Sequence, residues 1–280
     1  MYKKAYGIIE TLAPLHVGAT AGEESGNLNL IFRDQFTQTG IVPGSSIRGR
    51  LRSEMRNDLG EEEESYWYGY KAESTLSDNT TESRIKIEHA SIVWLPVFCP
   101  GQPIVWVTCP MLLQRYKRVV GIDADVPDPY TASNTLQPLH VEGEDKLFFN
   151  FGFLTIEDEQ DLSAWFPFGQ ELPAVVVAND EIAMIHDMAL YRQSRVRLED
   201  DEKRVKGGQF FNTEALPEQT ILIFPIALKE KKESQDSQEE TKAQKTWQPF
   251  KDKRTEDIYL GGLESIGFGH CKLLVKDRQD

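Results

Sequence analysis

Serines and arginines are concentrated in residues 41–60, which read IVPGSSIRGRLRSEMRNDLG. The pattern predicts a helix over residues 44–58, with Ser45 and Ser46 as N-cap residues. Three arginines recur every four residues along one side of this helix: Arg48, Arg52 and Arg56. The backbone N–H groups at the helix start, the two hydroxyls and the arginine stripe together predict an anion-binding site. The alternative is an ordinary amphipathic helix with its arginines in solvent.

A second group of residues suited to binding a phosphate chain lies near the end of the sequence, in YLGGLESIGFGHCKL (residues 259–273). Its glycines permit close backbone approach to a phosphate chain or to another strand. They are Gly261, Gly262, Gly267 and Gly269. The stretch is not a P-loop, because no lysine follows Gly267, and it leads into a strand, unlike a dinucleotide-binding fingerprint. A plain turn remains the alternative.

A third stretch, residues 190–208, predicts a hairpin with charged residues on both limbs. Arg195 and Arg197 alternate with Val196, so both are expected on one face of a strand, with Arg192 just before them. Exposed arginines beside a tyrosine suit contact with the backbone of single-stranded nucleic acid. An ordinary surface hairpin, balanced by the acids that follow, is the alternative.

The formal net charge of −14 argues against indiscriminate binding of nucleic acid, although a local basic track remains compatible with it. The acids are bunched, as in residues 61–64 (EEEE), and such runs predict solvated loops. Residues 229–256 have almost no apolar content and predict a mobile charged insertion. No apolar run is long enough to span a membrane, and no signal peptide is predicted.

Residue types suited to other chemistry are sparse. Three widely spaced cysteines, Cys99, Cys109 and Cys271, predict reduced thiols in a cytoplasmic protein and no zinc site. Asp123, Asp125 and Asp128 lie close together but lack the glycine and distal glutamate of an EF-hand, so they predict a turn. No metal site is predicted.

The order of elements predicts an α+β fold in a single domain over residues 1–280. Helices are expected over residues 44–58, 110–119 and 180–193, and single strands over residues 85–98 and 146–156. Because no long βα repeat occurs, we expect a mixed antiparallel sheet with helices on one face.

Five stretches in this order resemble the RAMP superfamily of CRISPR type III effector complexes: LHVG, IVPGSSIRGRLR, WVTCPMLLQRY, SRVRL…VKGGQFFNTEALPEQT and GGLESIGFG. The glycine loop is common to the superfamily. The segments WVTCP and TEALPEQT are more similar to the backbone subunit of type III-B (Cmr) complexes, with the equivalent type III-A and type III-D subunits as competitors.

The resemblance implies a modified ferredoxin-like (RRM-like) palm with a β-hairpin thumb at about residues 186–211. It also implies that several copies stack along a guide RNA with other effector subunits. Each thumb would displace a nucleotide of the duplex between guide and target RNA. Guide contacts would come from Ser45, Ser46, Arg48 and Arg52, with His16, the glycine loop and the thumb arginines nearby.

One position departs from the pattern of active family members, which carry an aspartate five residues before an arginine. With Arg33 setting the register in GNLNLIFRD, that position falls on Leu28. Leucine cannot hold a cation, so we expect a subunit that binds and paces RNA without cutting it, and RNA binding itself needs no cofactor. Weak substitutes are Glu23, Glu24 and Asp34.

Three other functions stay open. The first is a target-RNA endoribonuclease that uses a displaced acid with Mg²⁺ or Mn²⁺. The second is an autonomous processing RNase with His16 or His270 as general base. The third is a protein-only scaffold. A scaffold would show no salt-dependent RNA binding, whereas Arg48→Ala with Arg52→Ala would weaken such binding in a guide-binding subunit.

Overall fold

A computed structural model describes residues 2–18, 28–70, 82–150, 152–198, 205–229, 246–250 and 253–278. Glu23 and Glu24 lie outside the described residues, as does the greater part of the predicted insertion, residues 230–245. Among the described residues, no helix has the length and apolar character needed to cross a membrane.

The helices and strands follow one another along the chain without a regular βα repeat. The helices are α1 (Gly44–Leu59), α2 (Glu61–Tyr68), α3 (Pro110–Val120) and α4 (Ile182–Ala189). The first twelve strands are β1 (Tyr2–Thr11), β2 (Leu28–Asn29), β3 (Ile41–Val42), β4 (Ile85–Ile87), β5 (Ala90–Cys99), β6 (Gln102–Thr108), β7 (Thr131–Ser133), β8 (Leu139–Val141), β9 (Glu144–Phe149), β10 (Gly152–Thr155), β11 (Asp158–Gln160) and β12 (Ala174–Val176). The last five are β13 (Tyr191–Leu198), β14 (Val205–Ala215), β15 (Ile221–Lys229), β16 (Thr255–Tyr259) and β17 (His270–Asp277).

The largest sheet has the strand order β11-β7-β12-β6-β5-β15-β1-β17-β16, with β3 also paired to β5 and β4 to β15. Its central pairs are antiparallel, whereas β12 runs parallel to β6, and β11 parallel to β7. The mixed sheet confirms the expected fold class. Because β1 lies between β15 and β17, the sheet brings the residues after β1 beside the loop before β17.

Two hydrophobic clusters cover opposite faces of this sheet, because alternate residues of each strand point to opposite sides. On β1, Ile9 belongs to one cluster and Ile8 to the other. Helices α1, α2 and α4 supply the first cluster, for example through Leu51. Helix α3 packs Leu113 and Tyr116 into the second. Helices therefore lie on both faces, and the expectation of helices on one face was wrong.

Two stretches predicted as single strands are each divided. Residues 85–98 form β4 and β5, separated at Glu88 and His89. Residues 146–156 form most of the hairpin β9–β10, in which Phe148 pairs with Phe153. Apolar and aromatic content alone does not distinguish a long strand from two paired strands, because both favour such residues.

A second hairpin, β13–β14, starts directly after α4 and pairs through β14 with the short strand β2. This hairpin corresponds to the predicted thumb, and its return strand extends to Ala215, beyond the expected end at residue 211. Part of the range predicted as a charged insertion is packed: Trp247 and Phe250 are buried in the first cluster, and β16 begins at Thr255.

Candidate nucleic-acid interface

A groove of about 460 Å³ lies between the first turns of α1 and the glycine-rich loop that joins β16 to β17. The α1 wall consists of Ser45, Ser46, Gly49, Arg50 and Ser53. The opposite wall includes Tyr259, Leu260, Gly261, Gly262 and Glu264, and the floor includes Val17, Gly18 and Phe32. The structure thus brings the two serines and two of the four predicted glycines to one site.

The serines reach this groove from the first turn of α1 and not from its N-cap. Helix α1 begins at Gly44 with Pro43 as N-cap, and no side chain caps it. The N–H groups of Ser46 and Ile47 already donate to the carbonyl of Pro43. The helix start therefore offers fewer amide donors than expected, while both hydroxyls still line the groove. Gly49 leaves space open at the α1 wall, because a Cβ there would project into a region with no atom within 4 Å.

The predicted arginine stripe is directed at α2. The Arg48 guanidinium donates to the carbonyl oxygen of Tyr68 at 2.7 Å. Arg52 and Arg56 both bind the carboxylate of Glu64. These three arginines therefore have protein partners, and none of them lines the groove. Arg50 is the arginine that lines the groove. It lies outside the stripe on α1 and pairs with Glu54.

Glu64 was predicted to lie in a solvated loop, and this prediction was wrong. The run of four glutamates is helical and not a solvated loop, and the fourth glutamate is only 1% exposed. Burial raises the pKa of Glu64, but the hydrogen bonds from Arg52 and Arg56 outweigh burial and leave the pKa below its ordinary value. Helix α2 therefore neutralises charge on α1 from inside the protein. The signal in the sequence was the run of glutamates that directly follows the arginine-rich helix.

The glycine-rich loop lies against the residues that follow β1. The N–H of Gly262 donates to the carbonyl of His16 at 2.9 Å, and the N–H of Gly269 donates to the carbonyl of Pro14 at 2.9 Å. A Cβ on Gly261 would overlap the His16 carbonyl, and a Cβ on Gly269 would overlap the Leu260 carbonyl. Both glycines also have φ near +80°, so they are required for the close approach of the two segments. Gly267 has no such neighbour.

His16 is buried beneath this loop. Its Nδ1 lies 2.6 Å from the carbonyl oxygen of Glu214 on β14. A carbonyl only accepts hydrogen bonds, so Nδ1 is the donor in this one. His16 thereby connects the groove floor to strand β14, and its own side chain is buried and is not among the groove-lining residues.

The thumb arginines are divided between two environments. Arg192 binds the carboxylates of Asp187 and Glu214, and Arg33 binds the same two carboxylates from the other side. This closed cluster ties α4, β14 and the loop after β2 together at the thumb base. Arg195 lies further out and is partly exposed, whereas the side chain of Arg197 lies outside the described residues.

The weak catalytic candidate Asp34 holds a turn. Its Oδ1 accepts hydrogen bonds from the N–H groups of Phe36 and Thr37 and from the Thr37 hydroxyl. Burial raises the pKa of Asp34, but these hydrogen bonds outweigh it and lower the pKa overall. Leu28 is in β2, where its backbone pairs with Asn212 of the thumb. Within the described parts of the chain, no three acidic, histidine or cysteine side chains form a metal-binding group.

Tyr259 was not singled out from the sequence, because an isolated tyrosine at a strand end carries no pattern. It lines the groove and is 40% exposed. Its ring stacks on the imidazole of His270, with ring centroids 5.1 Å apart and planes 19° apart. His270 occupies the first position of β17 and is the cross-strand partner of Tyr259.

The chain belongs to the RAMP superfamily, which its residues 8–272 match. Among curated proteins, it is similar to the CRISPR system Cmr endoribonuclease Cmr4 of Pyrococcus furiosus (strain ATCC 43587 / DSM 3638 / JCM 8422 / Vc1). The two are 21% identical over 296 residues, which cover 98% of this chain and 96% of that protein.

Two solved structures have the same fold over nearly the whole chain. One is from the type III-B Cmr-beta complex bound to cognate target RNA, with a TM-score of 0.69 and 18% identity, covering 97% of this chain and 96% of that one. The other is oligomeric Cmr4 from Pyrococcus furiosus, with a TM-score of 0.66 and 16% identity over the whole of both chains. The large sheet and its flanking helices are therefore the palm of a RAMP protein.

Proposed function

We propose that this protein is a backbone subunit of a CRISPR type III effector complex, in which it binds guide RNA and takes part in antiviral defence in the cytoplasm. The observation that carries the proposal is the groove between α1 and the glycine-rich loop. Hydroxyls and one arginine line one wall, and a loop that requires glycine at Gly261 forms the other. Such a groove suits a sugar-phosphate chain held without reading its sequence.

Several copies of the chain would stack along one guide RNA beside other effector subunits. Oligomeric Cmr4 and the RNA-bound Cmr-beta complex share its fold over nearly their full length, which supports this assembly. The thumb hairpin would then reach the duplex formed by guide and target RNA and pace it. The cluster of Arg33, Arg192, Asp187 and Glu214 would hold the thumb at a constant angle to the groove.

We further propose that the subunit does not itself cut target RNA. Leu28 stands where active members have an aspartate, and the hydrogen bonds to Asp34 commit one of its carboxylate oxygens to a turn. The second candidate is a target-RNA endoribonuclease that uses a displaced acid and Mg²⁺ or Mn²⁺. It is favoured by the similarity to a protein named as an endoribonuclease.

Arg50 is expected to be the groove cation that matters for binding. Arg50→Ala should lower the affinity for a single-stranded RNA oligonucleotide about tenfold, because a hydrogen bond to a charged group contributes about 1.5 kcal/mol. The slope of log affinity against log salt should become shallower by about 0.7. Fluorescence anisotropy of a labelled oligonucleotide over a salt series measures both quantities.

The matched control is Arg118→Ala, because Arg118 is exposed on α3 and belongs to no groove wall. Equal affinities and slopes for the two variants would contradict the role of Arg50. Purification of the chain with its neighbouring subunits and a repeat-spacer array tests the wider proposal. A discrete guide-length RNA is expected, whereas a folded assembly without RNA would favour the protein-only scaffold.

The assembly is also expected to leave complementary target RNA intact in the presence of Mg²⁺ or Mn²⁺. The reason is the absence of a carboxylate at Leu28. A labelled target is incubated with the purified assembly and separated on a denaturing gel. Cleavage at regular intervals that is lost on replacing Glu23, Glu24 or Asp34 would establish the endoribonuclease instead.

A further inference from the structure

An exposed aromatic pair forms part of the groove wall opposite α1. Tyr259 ends β16 and His270 begins β17, so the pair stands where the hairpin opens into the glycine-rich loop. The ring geometry, 5.1 Å and 19°, is that of an offset stack. Tyr259 keeps 40% of its surface exposed although His270 packs against its ring. The side chain is therefore supported from behind and still open to the groove.

The charges on the two walls differ. Glu264 lines the groove on the aromatic side, and Asp257 lies 3.7 Å from the imidazole of His270. On the other side are Arg50, which is paired with Glu54, and the two serines of the first turn of α1, at the positive end of the helix dipole. Phosphate is repelled from the aromatic wall and attracted to the α1 wall. A nucleotide in the groove therefore has one favourable orientation, with its base toward Tyr259.

We propose that Tyr259, supported by His270, is a stacking platform for one base of the bound RNA. The inference deepens the proposed function and rests on it. Stacking engages the face of a base and not its hydrogen-bonding edge, so the platform would accept any of the four bases. A subunit that holds guides of variable sequence needs this kind of contact.

Substitutions at Tyr259 separate stacking from other contributions. Tyr259→Leu removes the aromatic face and keeps an apolar side chain, and it is expected to weaken binding of an oligouridylate about tenfold. Tyr259→Phe keeps the face and should bind within about twofold of the unchanged protein, since a phenylalanine ring stacks on a base as tyrosine does. Phe153→Leu is the control, because Phe153 is 60% exposed on the β9–β10 hairpin and lines no part of the groove.

A second measurement locates the contact directly. An oligouridylate carrying 4-thiouridine is irradiated on the full-length protein, and the crosslinked peptide is sequenced by mass spectrometry. Crosslinking at Tyr259, with binding weakened by the leucine variant alone, is the expected result. Thermal unfolding of each variant verifies that the fold is retained.

The outcomes distinguish this inference from the function on which it rests. If the unchanged protein binds the oligonucleotide in a salt-dependent manner and Tyr259→Leu binds equally well, the platform is refuted and the groove proposal stands. If crosslinks form only on other residues, the platform is likewise refuted. If the unchanged protein and its purified assembly bind no RNA, the proposed function fails, and this inference fails with it.

Discussion

Glu64→Ala is expected to lower the free energy of unfolding by about 2–3 kcal/mol. Removing one partner of a buried ion pair typically costs about 3–5 kcal/mol, because the remaining charge is left without compensation. Here the cost is smaller, since the side chains of Arg52 and Arg56 remain 18% and 48% exposed and water can solvate them in part. Chemical denaturation followed by tryptophan fluorescence measures the change.

Glu62→Ala is the matched control, because Glu62 is an exposed glutamate of the same helix. The reasoning is refuted if both variants unfold at the same denaturant concentration. The pH dependence supplies a second readout. The pKa of Glu64 is lowered in the folded protein, so the unfolded chain binds more protons as pH falls below about 4.3. The stabilisation by Glu64 is therefore fully present well above that pH and is lost progressively as the pH falls from there through the lower pKa of the folded state, and Glu64→Gln should remove this pH dependence.

Gly261→Ala is expected to destabilise the protein by about 3 kcal/mol or more and to disrupt the groove. A Cβ at this position overlaps the carbonyl oxygen of His16, and the φ of +80° is unfavourable for any residue with a side chain. The loop can relieve the overlap only by moving away from His16, which breaks the hydrogen bond from Gly262. Thermal unfolding and RNA binding should both report the change.

Gly267→Ala separates the cost of the Cβ overlap from the cost of the positive φ. Gly267 has a φ of +92°, and a Cβ there would contact nothing within 4 Å, so only the backbone conformation is penalised. A loss of about 1 kcal/mol is expected, with RNA binding retained. Equal losses for the two variants would show that close approach to His16 does not matter.

Local patterns predicted the elements whose signals are continuous along the chain. Helix α1 was expected over residues 44–58 and ends one residue later, at Leu59. Its core-facing residues recur at helical spacing, and its start carries Pro43. The glycine loop was predicted because the sequence displays its four glycines, in residues 261–269, directly. A hairpin was predicted over residues 190–208 from charged and apolar residues that alternate along it.

The partners of the site residues could not be predicted, because they depend on contacts between elements that are separate along the chain. The sequence pattern of an arginine stripe is the same whether the stripe faces RNA, solvent or a buried carboxylate. The structure decides this for Arg48 and Arg52 by placing α2 against α1. Arg50 and Tyr259 line the same groove only because the sheet brings the loop before β17 next to the start of α1.

The burial of Glu64 has a consequence for how RNA would be retained. With the arginine stripe neutralised within the protein, the groove as described offers a phosphate chain one arginine, Arg50, and the affinity of one copy for RNA is expected to be modest. Copies joined side by side add their contacts at a high effective concentration, so avidity can exceed single-site affinity by about 10²–10⁴. On the proposed function, an isolated subunit would release unrelated transcripts, and only the assembled row would retain a guide.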